Sequence, residues 1–166
     1  MSFRIIIGNI IALIASLLMV YSGVIKQKKK ILYVQIIQIG MLTISNIVLG
    51  GFVGAIVNAF NCLRNILYYN NKLSFLWKMI ISIVSVVLSI KFNNLGVIGF
   101  LPLIAGLSYL WLMNIKDVVK FKVLIIFTLI LWGLYDFVIK SYSSMIFDLL
   151  TITTTSYSIY KLRKEK

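Results

Sequence analysis

The sequence predicts an all-α integral membrane protein whose seven transmembrane helices form two parallel three-helix bundles joined by a linker helix. The first observation is composition: 61% of the 166 residues are hydrophobic and 13% are charged, and the mean hydropathy is +1.01. Soluble domains carry about 25% charged residues. This chain has too little polar surface for water, so lipid must surround most of it. The other observations are seven apolar runs and an internal repeat.

Seven apolar runs are each long enough to cross a membrane as a helix. A hydrocarbon core of about 30 Å needs roughly 20 residues, with roughly 17 to 25 tolerated. The runs are continuously apolar and show no alternation with period two, which favours helices over strands. They cover residues 4–25, 31–49, 51–69, 73–90, 95–113, 121–139 and 143–160. The first run has no convincing cleavage site, so we expect it to be retained as a span.

The distribution of basic residues predicts the orientation. With the N-terminus outside, only Arg4, Lys91 and Lys140 lie on the outer side. The remaining basic residues fall in the inner loops and their flanks: Lys26, Lys28, Lys29, Lys30, Arg64, Lys72, Lys78, Lys116, Lys120, Lys122, Lys161, Arg163, Lys164 and Lys166. This bias predicts an outside N-terminus and a cytoplasmic C-terminus. The net charge of +13 therefore reflects topology and lipid head groups, and we expect no nucleic-acid partner.

Composition also argues against catalytic and metal sites. The chain has no histidine, a single glutamate (Glu165) and a single cysteine (Cys62), which we interpret as a small packing residue. Zinc sites and histidine bases are excluded, and no base accompanies the serines and threonines. We therefore expect no enzyme activity, no cofactor and no bound metal.

An internal repeat relates the two ends of the chain. Shifting the sequence by 90 positions aligns the second and third runs with the sixth and seventh, and near the front the shift is 91. The aligned pairs are Asn46 and Asp136, Asn58 and Asp148, Phe52 and Tyr142, Ile56 and Ile146, and Gly8 and Gly99. Three spans, one inverting span and three more give both halves the same orientation. This predicts a first bundle over 1–72, a linker helix over 73–92 and a second bundle over 93–166.

This 3+1+3 plan resembles the SWEET sugar facilitators and the PnuC vitamin transporters, in which substrate binds between two three-helix bundles. The stretches LGGFVGAIVNAFNCLR (49–64) and FLPLI (100–104) are similar to the YgjV family of bacterial inner-membrane proteins. That resemblance covers nearly the whole chain and implies a location in the bacterial cytoplasmic membrane. One departure is that Pro102 has no counterpart near Ile11 and Ala12, whereas SWEET-type bundles typically carry a proline in the first helix of each half.

Few ionisable residues lie within the predicted spans. Asp136 and Asp148 are the only acids there, and Arg64 is the only base deep in a span. Such groups cost about 2.5–3.5 kcal/mol each to insert and usually face a cavity or a partner. At a rise of 1.5 Å per residue, Asn58 and Asp148 lie roughly 10 and roughly 8 Å from the outer side, hence at a similar level. Asn46 and Asp136 lie nearer that side, so the four residues would line an outward-opening polar vestibule.

Helical spacing adds further residues to this candidate site. Asn58, Asn61 and Asn65 share one face of the third span, with Arg64 close to it. Asp148, Thr151 and Thr155 form the matching stripe on the seventh span. Further candidates are the pair Gln35 and Gln38 and the aromatic residues Trp132, Tyr135 and Tyr142.

Two functions from different classes remain open. In the first, the chain is a small-solute transporter or facilitator that binds its solute through seven side chains: Asn46, Asn58, Asn61, Arg64, Asp136, Asp148 and Thr151. The two acids suit a cationic or polyhydroxyl solute, such as a sugar or a vitamin, unless Arg64 dominates the cavity. In the second, the chain is a non-transporting scaffold or sensor. The polar groups would then only join helices, Asp148 would only neutralise Arg64, and the aromatic residues would be interfacial anchors. Either protein could be a monomer or a homodimer.

Overall fold

The computed structural model describes residues 2–24, 28–115 and 117–164, which form seven α-helices and one short 3-10 helix, with no strand in these ranges. The α-helices are α1 (Phe3–Val24), α2 (Lys28–Leu49), α3 (Phe52–Tyr69), α4 (Phe75–Phe92), α5 (Leu101–Leu112), α6 (Val118–Val138) and α7 (Tyr142–Lys164). The prediction of an all-α chain with seven helices is confirmed. Lys26, Lys116 and Lys166, which entered the orientation argument, lie outside the described residues, as does Glu165.

The fifth predicted span differs most from the structure. The 3-10 helix covers Gly96–Phe100, and α5 then has only 12 residues, with Pro102 in its first turn. Proline is tolerated there because the first-turn N–H groups have no partner within the helix. Pro102 therefore lies at the start of α5, directly after the 3-10 helix.

The helices pack in a closed circuit of neighbours. Along the chain, α2 lies between α1 and α3, and α6 lies between α5 and α7. The circuit closes because α1 contacts α7 and α3 contacts α5. The remaining helix, α4, lies outside the circuit against α3 and α5.

Burial along α4 is the reverse of that in a soluble protein. Ile83, Val87 and Ile90 are more than half exposed, whereas Ser85 and Ser89 are buried. Apolar side chains that face outward from a helix whose serines face inward require an apolar surrounding. Exposed large apolar residues occur on every described α-helix, so this surface extends around the molecule.

By length and composition, α4 is the one helix of the described residues that is long and apolar enough to cross a membrane. Shorter apolar stretches cover Phe3–Met19, Tyr33–Leu49 and Gly96–Leu112. The other helices include polar or charged side chains, such as Arg64 in α3 and Lys120, Lys122 and Asp136 in α6. The crossing of the membrane by all seven helices therefore stays a prediction.

Turns of the same type end α2, α3 and α6, and those after α2 and α6 lie at equivalent positions of the predicted repeat. The N–H of Gly51 donates to the carbonyl of Asn46 and that of Gly50 to Ile47, and the same pattern recurs in 136–141, 90 positions later. This is a Schellman motif, whose residue after the C-cap takes a positive φ. That residue is Gly50 (φ +83°) in the first turn and Lys140 (φ +63°) in the second. The turns after α2 and α6 agree with the predicted repeat, whereas the turn after α3 has no counterpart, because α7 continues to Lys164.

Candidate functional site

Four of the candidate side chains are buried among the described helices. Asn46, Asn58, Asp136 and Asp148 are exposed by only 3%, 5%, 5% and 9%, and they come from α2, α3, α6 and α7. The repeat relates Asn46 to Asp136 and Asn58 to Asp148. A third related pair, Gln38 and Thr128, is equally buried at 7% each. Each half therefore contributes polar groups to the interior at equivalent positions.

The two acids lie on helices that contact each other, Asp136 on α6 and Asp148 on α7. Asp148 Oδ2 lies 4.0 Å from the position that a Cβ on Gly133 would take, so the carboxyl faces α6. Gly133 is three residues before Asp136, on the same face of that helix. Asp148 Oδ2 is fully buried and accepts no hydrogen bond from the described residues. Buried polar atoms are nearly always paired, so an unpaired carboxyl oxygen is an exception. This oxygen is free to accept a hydrogen bond.

Tyr135 lies beside these groups and joins the two halves of the chain. Its side chain is fully buried, and its hydroxyl accepts a 2.9 Å hydrogen bond from the N–H of Gly54. A Cβ on Gly54 would lie 2.6 Å from Tyr135 Cε1 and 2.8 Å from Asn46 Nδ2, so only glycine fits there. Gly51 leaves room for the same hydroxyl. Tyr135 of α6 therefore packs against Gly51 and Gly54 at the start of α3.

Trp132 and Tyr142 occupy other environments. Trp132 packs against the apolar cluster of Val53, Val57 and Leu103 and meets Tyr135 edge to face at 5.9 Å. Tyr142 is 41% exposed at the start of α7. Of the three predicted aromatic residues, Tyr135 is thus the one that adjoins Asn46.

Arg64 forms a separate group with its own helix. It donates to Asn61 Oδ1 at 2.9 Å and to Asn65 Oδ1 at 3.0 and 3.2 Å, and its guanidinium lies 4.6 Å from the centre of the Tyr109 ring. In the described part of the chain it forms no ion pair with Asp148. Arg64 is therefore held by two amides and a ring, and is not a counter-ion of the interior acids.

Thr151 is the last of the seven candidates. It is half-buried, and its hydroxyl donates to the carbonyl of Phe147 at 2.7 Å. Such a bond back to the preceding turn is usual for threonine within a helix. The structure therefore gives Thr151 a partner on its own helix.

Two cavities occur in the described part of the chain, one between helices and one at an end of the molecule. The smaller one, of about 10 Å³, lies between α3, α4 and α5 and is lined by Asn61, Arg64 and Ser85 among apolar residues. That is about the room that one water molecule needs. The larger one, of about 530 Å³, is a depression at the end of the molecule that carries the turns after α2 and α6. Neither is lined by Asn58 or Asp148.

Asn9 and Asn94, neither of which is among the predicted site residues, hold the two turns in place. Asn9 Nδ2 donates to the carbonyl of Lys140 at 2.9 Å, and Asn9 Oδ1 accepts from the N–H of Ser143 at 3.0 Å. Asn94 Nδ2 donates to the carbonyl of Gly50 at 3.0 Å. Each turn is thus bound by an amide from the other half. The only signal in the sequence was the polarity of Asn9 within an apolar run.

Replacing Asn9 tests whether its hydrogen bonds to Lys140 and Ser143 stabilise the fold. We expect Asn9→Leu to lower the free energy of unfolding by about 1–3 kcal/mol, because it leaves a turn carbonyl and an N–H of α7 without their partner. Asn70→Ala is the control, since the exposed Asn70 amide donates only to Ile66 of its own helix. Thermal denaturation in detergent measures both variants. Equal losses would show that the link between the halves contributes nothing beyond a local hydrogen bond.

Comparison with known proteins identifies the family but gives no structural relative. No curated protein and no solved structure matches the chain, so the resemblance to SWEET and PnuC architecture stays a prediction. A family model described as "bacterial inner membrane protein" matches residues 6–166, nearly the whole chain. A bacterial inner membrane agrees with the exposed apolar surface of the helices. The chain therefore belongs to the Imp-YgjV family of bacterial inner membrane proteins.

Proposed function

We propose that this protein is a small-solute transporter or facilitator whose binding site lies between two parallel three-helix bundles. The first bundle is α1–α3, the second is α5–α7, and α4 is the linker helix. The contacts of α1 with α7 and of α3 with α5 support this arrangement, because a twofold axis along the membrane normal would exchange them. The recurrence of the Schellman turn after 90 positions supports the same axis.

The observation that carries the proposal is the burial of polar side chains at repeat-related positions of both halves. Asn46, Asn58, Asp136 and Asp148 are all buried, although uncharged packing would cost less in an apolar surrounding. Helix association alone does not need an acid with an unpaired oxygen, as in Asp148. A solute that donates hydrogen bonds would supply the missing partner.

The geometry supports a cationic or polyhydroxyl solute. Asp136 and Asp148 are buried acids, and Arg64 donates hydrogen bonds to Asn61 and Asn65. These partners of Arg64 support a site whose charge comes from the two acids. We accordingly place the solute among Asn46, Asn58, Asp136 and Asp148, and leave Asn61, Arg64 and Thr151 outside the binding site.

In the described conformation, side chains separate the depression from the buried polar residues. Leu49 and Ile139 lie at the depression, and the buried Tyr135 lies next to Asn46 beneath them. Ile139 is only 6% exposed. Opening this end would need Tyr135 to leave Gly54, which breaks one hydrogen bond between the halves.

Solute flux tests the proposal. Liposomes that contain the purified protein are mixed with a hyperosmotic solution of glycerol, ribitol, sorbitol, glucose or choline chloride. The reswelling of the liposomes is followed by stopped-flow light scattering. We expect reswelling for at least one of these solutes, and a loss of about tenfold in its rate in Asn58→Ala and Asp148→Asn, which corresponds to about 1.4 kcal/mol. Thr153→Ala is the control, because Thr153 is exposed on α7. Rates equal to those of empty liposomes for every solute would contradict the proposal.

A non-transporting scaffold or sensor is the second candidate. One observation favours it: neither cavity described above is lined by Asn58 or Asp148. In that case the polar interior would only stabilise contacts between helices, and substitutions there would change stability without changing flux.

A further inference from the structure

The depression between the turns after α2 and α6 is lined by positively charged residues. Its lining includes Arg4 and Lys140, together with Ser2 and Asn94, and includes no acid. Of the three basic residues predicted on the outer side of the membrane, two therefore line the same depression. Basic residues are disfavoured on that side, so their convergence calls for an explanation.

Lys140 adopts an unfavourable backbone conformation at this place. Its φ of +63° lies in the left-handed region, where the repeat-related turn has a glycine, Gly50. Residues other than glycine are strained there, and such strain concentrates at functional sites. Glycine would satisfy the turn, so the turn itself does not explain the lysine. What the lysine adds is a cation at the depression.

The remaining walls are apolar. Leu49, Phe52, Leu95, Val138 and Ile139 line the depression beside the two cations. Phe52 and Val138 are exposed by 42% and 38%, so the apolar wall continues onto the outer surface of the helices. A volume of about 530 Å³ falls within the size range of ligand sites in proteins. Charge and walls together suit an anion that carries an apolar tail.

We propose that this depression binds the phosphate head group of an anionic phospholipid from the outer leaflet of the inner membrane. A transported anion fits less well, because Asp136 and Asp148 in the interior would repel it. The head group would lie between Arg4 and Lys140, and the acyl chains would leave along Phe52 and Val138. This inference does not depend on whether the protein transports a solute.

Lipid titration tests the inference. The full chain is placed in nanodiscs of phosphatidylcholine that contain increasing fractions of phosphatidylglycerol, and thermal stability is measured at each fraction. We expect phosphatidylglycerol to stabilise the wild type at low fractions. In Lys140→Gly we expect the apparent affinity to fall about fivefold, the effect of one basic residue at a membrane surface. The same variant should be at least as stable as wild type in pure phosphatidylcholine, because glycine relieves the strained φ.

Lys91→Ala is the matched control, since Lys91 is the third basic residue predicted on that side and does not line the depression. It should keep the wild-type affinity. Equal losses in Lys91→Ala and Lys140→Gly would overturn the proposal in favour of general surface charge. Equal stabilisation by millimolar inorganic phosphate in pure phosphatidylcholine would overturn it in favour of a free anion.

Discussion

Gly54→Ala is expected to lower the free energy of unfolding by about 1–3 kcal/mol, the usual cost of forcing a methyl group into a filled core. The new methyl would lie 2.6 Å from Tyr135 Cε1 and 2.8 Å from Asn46 Nδ2. Tyr135 is fully buried and bonded to the N–H of Gly54, so it cannot move aside without loss. Thermal denaturation in detergent would show the effect as a lower melting temperature.

Gly40→Ala is the matched control for this prediction. Gly40 lies within a helix like Gly54, but a Cβ there would meet nothing within 4 Å. Alanine is favoured over glycine in helices by roughly 0.5–1 kcal/mol, so Gly40→Ala should leave stability unchanged or raise it. A Gly54→Ala variant as stable as Gly40→Ala would show that Tyr135 does not fill the space between the halves.

Asp148→Asn is expected to stabilise the fold by about 1–3 kcal/mol while it impairs function. An unpaired buried polar atom costs about that amount, and asparagine has no charge to bury and carries an amide that donates hydrogen bonds. A site residue that lowers stability is typical of a function that requires it. The measurement is the melting temperature in detergent, set beside the flux of the same variant.

Asp148→Ala controls for the loss of the carboxyl alone, because alanine removes the charge but donates no hydrogen bond. It should gain less stability than Asp148→Asn. If both variants instead lowered the melting temperature, the carboxyl would be a satisfied structural group, as the scaffold hypothesis requires.

Much of the fold followed from the sequence because the relevant signals are local. Apolar runs and their lysine-, asparagine- and glycine-rich breaks indicated seven helices. The repeat related Asn46 to Asp136 and Asn58 to Asp148, and all four are buried. Hydropathy could not show that 96–100 forms a 3-10 helix before α5, because that segment is as apolar as the helix that follows.

The contacts within the site depended on packing between distant segments. Helical spacing placed Arg64 near the Asn58 face, but it could not show that the guanidinium is bonded to Asn61 and Asn65 on its own helix. The pairing of Tyr135 with Gly54 spans 81 residues. The link from Asn9 to Lys140 spans 131. No pattern within one helix could indicate either contact, since each depends on how the two halves meet.

Access of water to the polar interior is the most direct test of the central claim that this interior is a solute site. Cys62 is the only cysteine, so Cys62→Ser gives a background in which Asn58→Cys, Asp148→Cys and Val53→Cys can each be treated with a membrane-impermeant methanethiosulfonate. Val53 is the control, because it is 1% exposed in an apolar cluster. A solute site predicts modification at positions 58 and 148 and none at 53. Three equally unreactive cysteines would contradict the account.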